Sequence, residues 1–292
     1  MFRFNFGTED DGTPAPTAAP PAQTSSTPKR GAMMHNTIMF NLTDDQFINV
    51  SIDATTQSSM LIVNEQHPQF VANTGELAKI LTTSDIQTGV YEGGFKLWEG
   101  AVDLIQYLMR HASSFPMASQ ADYRVMELGC GHGLPGIYAL LQGAAEVYFS
   151  DYNKEVIELA TIPNVLRNAS PIVAAAKARY YSGDWQLVSD LMHTQGVPPL
   201  FDLILTAETI YTESVAITLA QTIVRHLKRG GVALVAAKTY YFGTGGSVHH
   251  FKQLIDDVRS TDGRRLLVAE TVWDSNDARS NMREIVRVTY AD

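Results

Sequence analysis

Residues 125–136 read VMELGCGHGLPG: a short apolar strand runs into closely spaced glycines and then opens a helix. Glycine lets the backbone turn sharply and lie close to a ligand, and a helix N-terminus offers N–H groups with no partner inside the helix. Gly131, Gly133 and Gly136 satisfy the G-x-G-x-x-G spacing, and Asp151 follows about where a ribose-binding acid is expected. On these residues alone, a nicotinamide dinucleotide site and a purely structural turn both remain open.

The rhythm on either side sets the fold. Apolar or β-branched segments at 124–128, 146–151, 179–182, 202–206 and 232–238 alternate with helix-like segments at 134–141, 154–167, 185–192 and 213–228. Upstream, residues 95–111 carry Leu97, Ala101, Leu104, Ile105 and Leu108 close to helical spacing. Such alternation predicts an α/β fold with a mostly parallel sheet covered on both faces. After a helix near 248–260, strands at 266–273 and 283–290 are separated only by the polar stretch 274–282, too short for a crossover helix. These two are therefore expected to pair antiparallel. The whole pattern is a Rossmann-like, seven-stranded class I methyltransferase fold with a C-terminal antiparallel hairpin.

Three domain-scale regions follow. Residues 1–35 are expected to be a flexible low-complexity tail, because 12–30 are dominated by Pro, Ala, Thr and Ser and have little to bury. Residues 36–88 read as an N-terminal extension packed on the core, and 89–292 as the methyltransferase domain.

Two features separate a methyl donor from a dinucleotide. Glu127 precedes Gly129 by two residues, giving E-x-G-x-G-x-G, the form in which S-adenosylmethionine enzymes use an acid to hold the amino-acid portion. The terminal hairpin is absent from the usual dinucleotide fold. Asp151, at the end of the second core strand, can accept hydrogen bonds from both ribose hydroxyls; the alternative is an acid that only caps the next helix. Gly131 belongs to the same loop. YSGDW at 181–185 ends the third core strand, where Asp184 could accept from an adenine amine and Trp185 could stack, or Asp184 could cap a helix while Trp185 joins the core.

Further motifs are VYEGGFKLWEG at 90–100, SDYN at 150–153, TAETIY at 206–211 and AAKTYYFGTGGS at 236–247. Together with MELGCGHG and YSGDW, they resemble the protein-histidine methyltransferases of the seven-stranded superfamily, over residues 90 to about 251. The resemblance implies an S-adenosylmethionine-dependent protein-histidine N-methyltransferase whose substrate is a large-subunit ribosomal protein. It places Leu97, Trp98, Glu99, Gly100 and Ala101 against the cofactor, with Gly129, Ser150, Asp151, Tyr152, Gly183, Asp184, Trp185 and Ala207. The chain departs from the family pattern at Glu127, Gly100, Ala101 and Ala207, and Tyr240 stands where a histidine is usual near the acceptor.

A histidine acceptor, with a pKa near 6.5, is mostly neutral at pH 7, whereas a lysine near 10.4 would need about 4–5 kcal/mol to be presented neutral. One acceptor that fixes the imidazole tautomer therefore suffices. Glu208 is the candidate, or else an acid that caps the helix starting near 213. Tyr211, three residues on, makes an E-x-x-Y element like the D-x-x-Y of related protein-lysine methyltransferases, so lysine is the alternative acceptor. Tyr240 begins an aromatic run that could stack on an imidazole, and His132, His249 and His250 read as exposed or helix-start histidines rather than metal ligands. No metal is expected.

Composition bounds the remainder. With 292 residues, 45% of them hydrophobic, the chain can bury a large core, and its formal net charge of −9 argues against direct nucleic-acid binding while leaving room for a basic protein partner. A single cysteine points to a reducing compartment, cytosol or nucleus, and no apolar stretch is long enough to span a membrane. A monomer is expected. An NAD-dependent oxidoreductase lacks any Tyr-x-x-x-Lys or comparable hydride-transfer set after the glycine loop, and a non-catalytic ribosome-binding module fits the acidic balance poorly.

Overall fold

Strands β4 (Arg124–Leu128), β5 (Glu146–Asp151), β6 (Ala178–Ser182), β7 (Phe201–Ala207) and β8 (Leu227–Lys238) form the parallel body of the sheet. The structure, a computed structural model, describes residues 29–37, 42–81, 83–197, 200–275 and 282–291. β9 (Leu267–Asp274) and β10 (Arg283–Tyr290) close one end, with β10 antiparallel to both β8 and β9. β1 (Met33–His35) pairs antiparallel with β6 at the opposite edge, so the strand order is β1-β6-β5-β4-β7-β8-β10-β9.

Side chains along β4 alternate between the faces, as a strand covered on both sides requires. Val125 joins a core with Leu104, Ile105, Leu108, Ile137 and Leu205, while Met126 and Leu128 join another with Ile204, Leu219, Ile223 and Phe251. Helices Glu99–Arg110 and Leu134–Leu141 supply the first layer; Glu213–His226 and Val248–Asp256 supply the second. The core strands and helices lie close to where their periodicity put them, except that β8 begins at Leu227, ahead of the expected 232, and the helix expected over 95–111 begins only at Glu99.

Three differences have physical causes. Residues 33–35 were expected in the flexible tail but add an edge strand to β6, the pairing being backbone work that a three-residue MMH run cannot advertise. Residues 1–28 of that expected tail lie outside the described residues. The helix expected over 154–167 is interrupted by a π-helical turn, Ile157–Thr161, just before Pro163. Proline has no N–H for the i→i−4 bond, so the register shifts, and the turn sets the Thr161 hydroxyl on the Gly131 carbonyl at 2.7 Å. Finally, the extension contains a hairpin, β2 (Phe47–Asp53) with β3 (Ser58–Val63), docked on helix Ile162–Asn168. Asn164 Oδ1 accepts from Val63 N–H at 2.8 Å, and Asn168 both accepts from Leu61 N–H and donates to its carbonyl.

Candidate functional site

The parallel strands deliver Leu128, Asp151, Ser182 and Ala207 to one edge of the sheet, where ligands of open α/β folds bind. A crevice of about 1000 Å3, counted out to where it opens into solvent, runs along this edge. Its lining includes Leu97, Trp98, Ala101, Glu127, Gly129, Gly131, Asp151, Tyr152, Gly183, Asp184, Trp185, Ala207, Glu208 and Tyr211, and also Glu92 and Thr209.

Gly129 has φ +63°, and a Cβ there would stand 2.5 Å from Thr209 Cγ2, so backbone and crevice wall meet at a position only glycine fits. Asp151 is buried; its Oδ2 accepts from Gly131 N–H at 3.0 Å and its Oδ1 from Asn153 N–H at 3.1 Å. Burial raises its carboxyl to a pKa of about 6 against the opposing effect of those N–H groups. Glu127 is also buried and pushed well up by desolvation, and it accepts from Gly136 N–H at 2.8 Å. It thus braces the glycine loop against the start of helix Leu134–Leu141 while lining the crevice.

His132 departs from its expected exposure. It is buried, with Nε2 2.6 Å from the Phe95 carbonyl and Nδ1 3.1 Å from Asn164 Nδ2, and burial lowers its pKa to about 4. The neutral ring donates from Nε2 and accepts at Nδ1, tying the 90–100 segment to the loop. His249 is exposed in the first turn of helix Val248–Asp256, as expected.

Asp184 caps helix Trp185–Thr194, accepting from Gln186 N–H at 3.0 Å and from Leu187 N–H at 3.4 Å. The capping reading holds, and the same residue also lines the crevice with Trp185. Ser150 contributes its carbonyl to Cys130 N–H at 3.0 Å, while its buried hydroxyl has no partner; it does not line the crevice.

Glu208 also lines the crevice, from the turn that follows β7. Its φ of +58°, in the left-handed region, costs roughly 1–2 kcal/mol for a non-glycine residue. Such strain is retained where surrounding structure over-determines it, commonly at functional sites. Oε2 accepts from the Tyr241 hydroxyl at 2.6 Å, whereas the buried Oε1 has no partner. A Cβ on Gly100 would stand 2.9 Å from Oε1, so that oxygen rests against the first turn of helix Glu99–Arg110, whose positive end favours a carboxylate. Burial nevertheless raises the Glu208 pKa, with Tyr241, Lys238 and Arg283 opposing. Tyr211 is buried and donates to Glu92, whose carboxyl is raised by burial and also accepts from Gly89 N–H at 2.5 Å.

Four expected site residues, Ser150 among them, do not line the crevice. Tyr240 is half exposed and meets Phe242 edge-on, outside the crevice; its neighbour Tyr241 turns inward to Glu208. Glu99 faces solvent and pairs with Arg283 at 3.1 Å. Gly100 does not itself line the crevice but packs against Glu208, which does. Conversely, Glu92 and Thr209 are not among the expected site residues, and Tyr241 is expected only as part of the aromatic run that begins at Tyr240. Glu92 sits inside the YEGG motif and Thr209 inside TAETIY, their only signal.

Fold and crevice together define a class I methyltransferase fold. A solved structure of a candidate SAM-dependent methyltransferase from Streptococcus mutans superposes with a TM-score of 0.54 at 11% identity, covering 87% of this chain and 57% of that one. A family profile described as lysine methyltransferase matches residues 80–254, and the chain belongs to that family. It is 43% identical over 211 residues to a histidine protein methyltransferase 1 homolog from Dictyostelium discoideum, covering 72% of this chain and 62% of the relative. It is 34% identical over 262 residues to the Bos taurus homolog of the same name, covering 82% and 66%. The matched stretch thus spans a little under two thirds of either relative.

Proposed function

We propose that this protein transfers a methyl group from S-adenosylmethionine to a histidine side-chain nitrogen of another protein. The observation that carries the reading is one crevice holding both a glycine-loop cradle beside Asp151 and a buried carboxylate, Glu208, with an unpartnered oxygen. The residues fit the cofactor: Asp151 would hold ribose hydroxyls, Trp185 and Tyr152 would flank the adenosine end, and Gly129 leaves the backbone open to it.

When bound, S-adenosylmethionine supplies a methyl group on a sulfonium, which leaves by in-line displacement. The chain's own part is to orient the nucleophile and hold a proton. Glu208 Oε1 would accept the N–H of the acceptor imidazole, leaving the other ring nitrogen with its lone pair free, and would take the proton as the methylated ring becomes cationic. Tyr241, donating to Oε2, holds the carboxylate in place. The Tyr211 hydroxyl, spent as a donor on Glu92, keeps lone pairs to accept a further hydrogen bond.

That second acceptor favours one alternative. A neutral lysine amine presents two N–H groups where an imidazole presents one, so Glu208 and Tyr211 together could serve lysine, the acceptor in the family's description. The relatives' names and the single free carboxylate oxygen support histidine. The resemblance supplies a large-subunit ribosomal protein as substrate, and we extend the reading to a monomer acting in cytosol or nucleus.

Calorimetry tests the cofactor half. The purified protein is expected to bind S-adenosylmethionine and not NAD, and Gly129→Arg to abolish binding by filling the cradle. Equal affinity for NAD, or undiminished binding by the variant, would contradict it.

A further inference from the structure

The segment entering β1 lies across the end of the crevice where β5 and β6 finish, outside the stretch matched by the family profile. Lys29 Nζ is 3.3 Å from the Asp184 carboxylate, Asp184 N–H donates to the Arg30 carbonyl at 3.1 Å, and Arg30 N–H donates to the Tyr152 hydroxyl at 3.4 Å. The Arg30 guanidinium then reaches three ways. Nη2 donates to the Val90 carbonyl at 2.9 Å, Nη1 to Glu155 Oε2 at 3.2 Å, and the cation lies 5.8 Å from the centre of the Tyr152 ring. Packing is close: a Cβ on Gly183 would stand 2.6 Å from the Gly31 carbonyl oxygen. Beyond this point β1 anchors the segment to β6, with His35 Nε2 2.8 Å from Ser182 Oγ and Nδ1 3.2 Å from Glu158 Oε1.

Tyr152, Gly183 and Asp184 line the crevice, and Val90 leads directly into Glu92, Gly93 and Gly94, which line it too. Asn153 Nδ2 also donates to the Val90 carbonyl, at 2.8 Å, and Glu92 N–H donates to Asn153 Oδ1 at 3.1 Å, so the Arg30 contact completes a lattice around that turn. We propose that Arg30 is a positioning residue of the cofactor crevice, holding the 89–94 turn and Tyr152 in the arrangement that receives the adenosine end of S-adenosylmethionine. This rests on the cofactor reading above. A planar fork that serves a carbonyl and a carboxylate at once is work a lysine can do only in part, since its ammonium is a single point of donation.

The test uses the full chain as wild type, Arg30→Ala and Arg30→Lys, with S-adenosylhomocysteine as the probe. Calorimetry gives affinity, thermal melting without ligand gives global stability, and amide hydrogen exchange without ligand reads the 89–94 turn. Arg30→Ala is expected to bind about tenfold more weakly, as loss of a charge-assisted pair of contacts implies. It should exchange faster at residues 89–94 and melt close to wild type, and Arg30→Lys should fall between. Wild-type affinity and exchange in Arg30→Ala would overturn the positioning role alone. A large fall in melting temperature with exchange raised throughout the chain would overturn it too, by making Arg30 a general structural residue. No binding by wild type would overturn the cofactor reading, and this proposal with it.

Discussion

Glu208 illustrates how far a single residue can be read before its fold is known. Its place at the end of the fourth core strand marked it as the acceptor-side acid, and the structure adds a strained backbone, a Tyr241 clamp and an unpartnered oxygen. Glu208→Gln keeps the shape and one carbonyl-type oxygen but removes the charge and the ability to take a proton. Turnover should fall about 10²-fold or more while cofactor affinity stays nearly unchanged, by steady-state kinetics beside calorimetry; wild-type turnover in the variant would remove Glu208 from the mechanism. Asp151 yields a pH prediction. Burial holds its folded pKa at about 6, above the ordinary carboxylate value, so the ligand-free protein loses about 3 kcal/mol of stability as pH rises through that interval and the group must ionise. Donors from ribose hydroxyls favour the ionised form. Affinity for S-adenosylmethionine should therefore fall by about tenfold per unit below pH 6 and level off above it, and Asp151→Asn should flatten the profile. A flat wild-type profile between pH 4.5 and 7 would count against the ribose role. Tyr240 and Tyr241 mark the limit of residue-level reading: in a turn, spacing does not say which of two adjacent rings points inward. Here the Tyr240–Ser247 bridge and the bond from Tyr241 N–H to the Gly246 carbonyl decide it.

At the scale of elements, periodicity carried most of the information, because strands buried on both faces and helices with one apolar stripe must show it. β4, β5 and β10 begin and end where their apolar patterns do. β1, helix Pro171–Lys177 and the π-helical turn had no comparable signal, being short or set by tertiary contacts and by Pro163. The docking of the β2–β3 hairpin was equally silent, since it runs through two asparagines on a helix. Asn164 alone serves Val63 N–H, the His132 carbonyl at 3.0 Å and His132 Nδ1. Asn164→Ala would leave those buried groups unpaired, at about 1–3 kcal/mol for an unsatisfied group. The melting temperature should drop by roughly 4–10 °C, and because His132 sits in the glycine loop, cofactor affinity should drop as well. An unchanged melting temperature would show that the Asn168 bonds and the apolar contacts hold the hairpin without Asn164.

For the whole molecule, the proposed enzyme is one that meets its substrate as a separate macromolecule, and the acidic charge balance bears on that encounter. With a formal net charge of −9, a basic partner is drawn in over distances that salt screens. Raising ionic strength from about 50 to about 300 mM should lower kcat/KM for a basic protein substrate more than kcat; equal effects would place the salt dependence in the chemical step. The central claim concerns what receives the methyl group, and the measurement that addresses it most directly is mass spectrometry of a protein extract incubated with isotopically labelled S-adenosylmethionine and the purified enzyme. The account predicts label on a histidine ring nitrogen, lost with Gly129→Arg and strongly reduced with Glu208→Gln. Label on lysine would contradict the acceptor assignment, and no enzyme-dependent label on any protein would contradict the account as a whole.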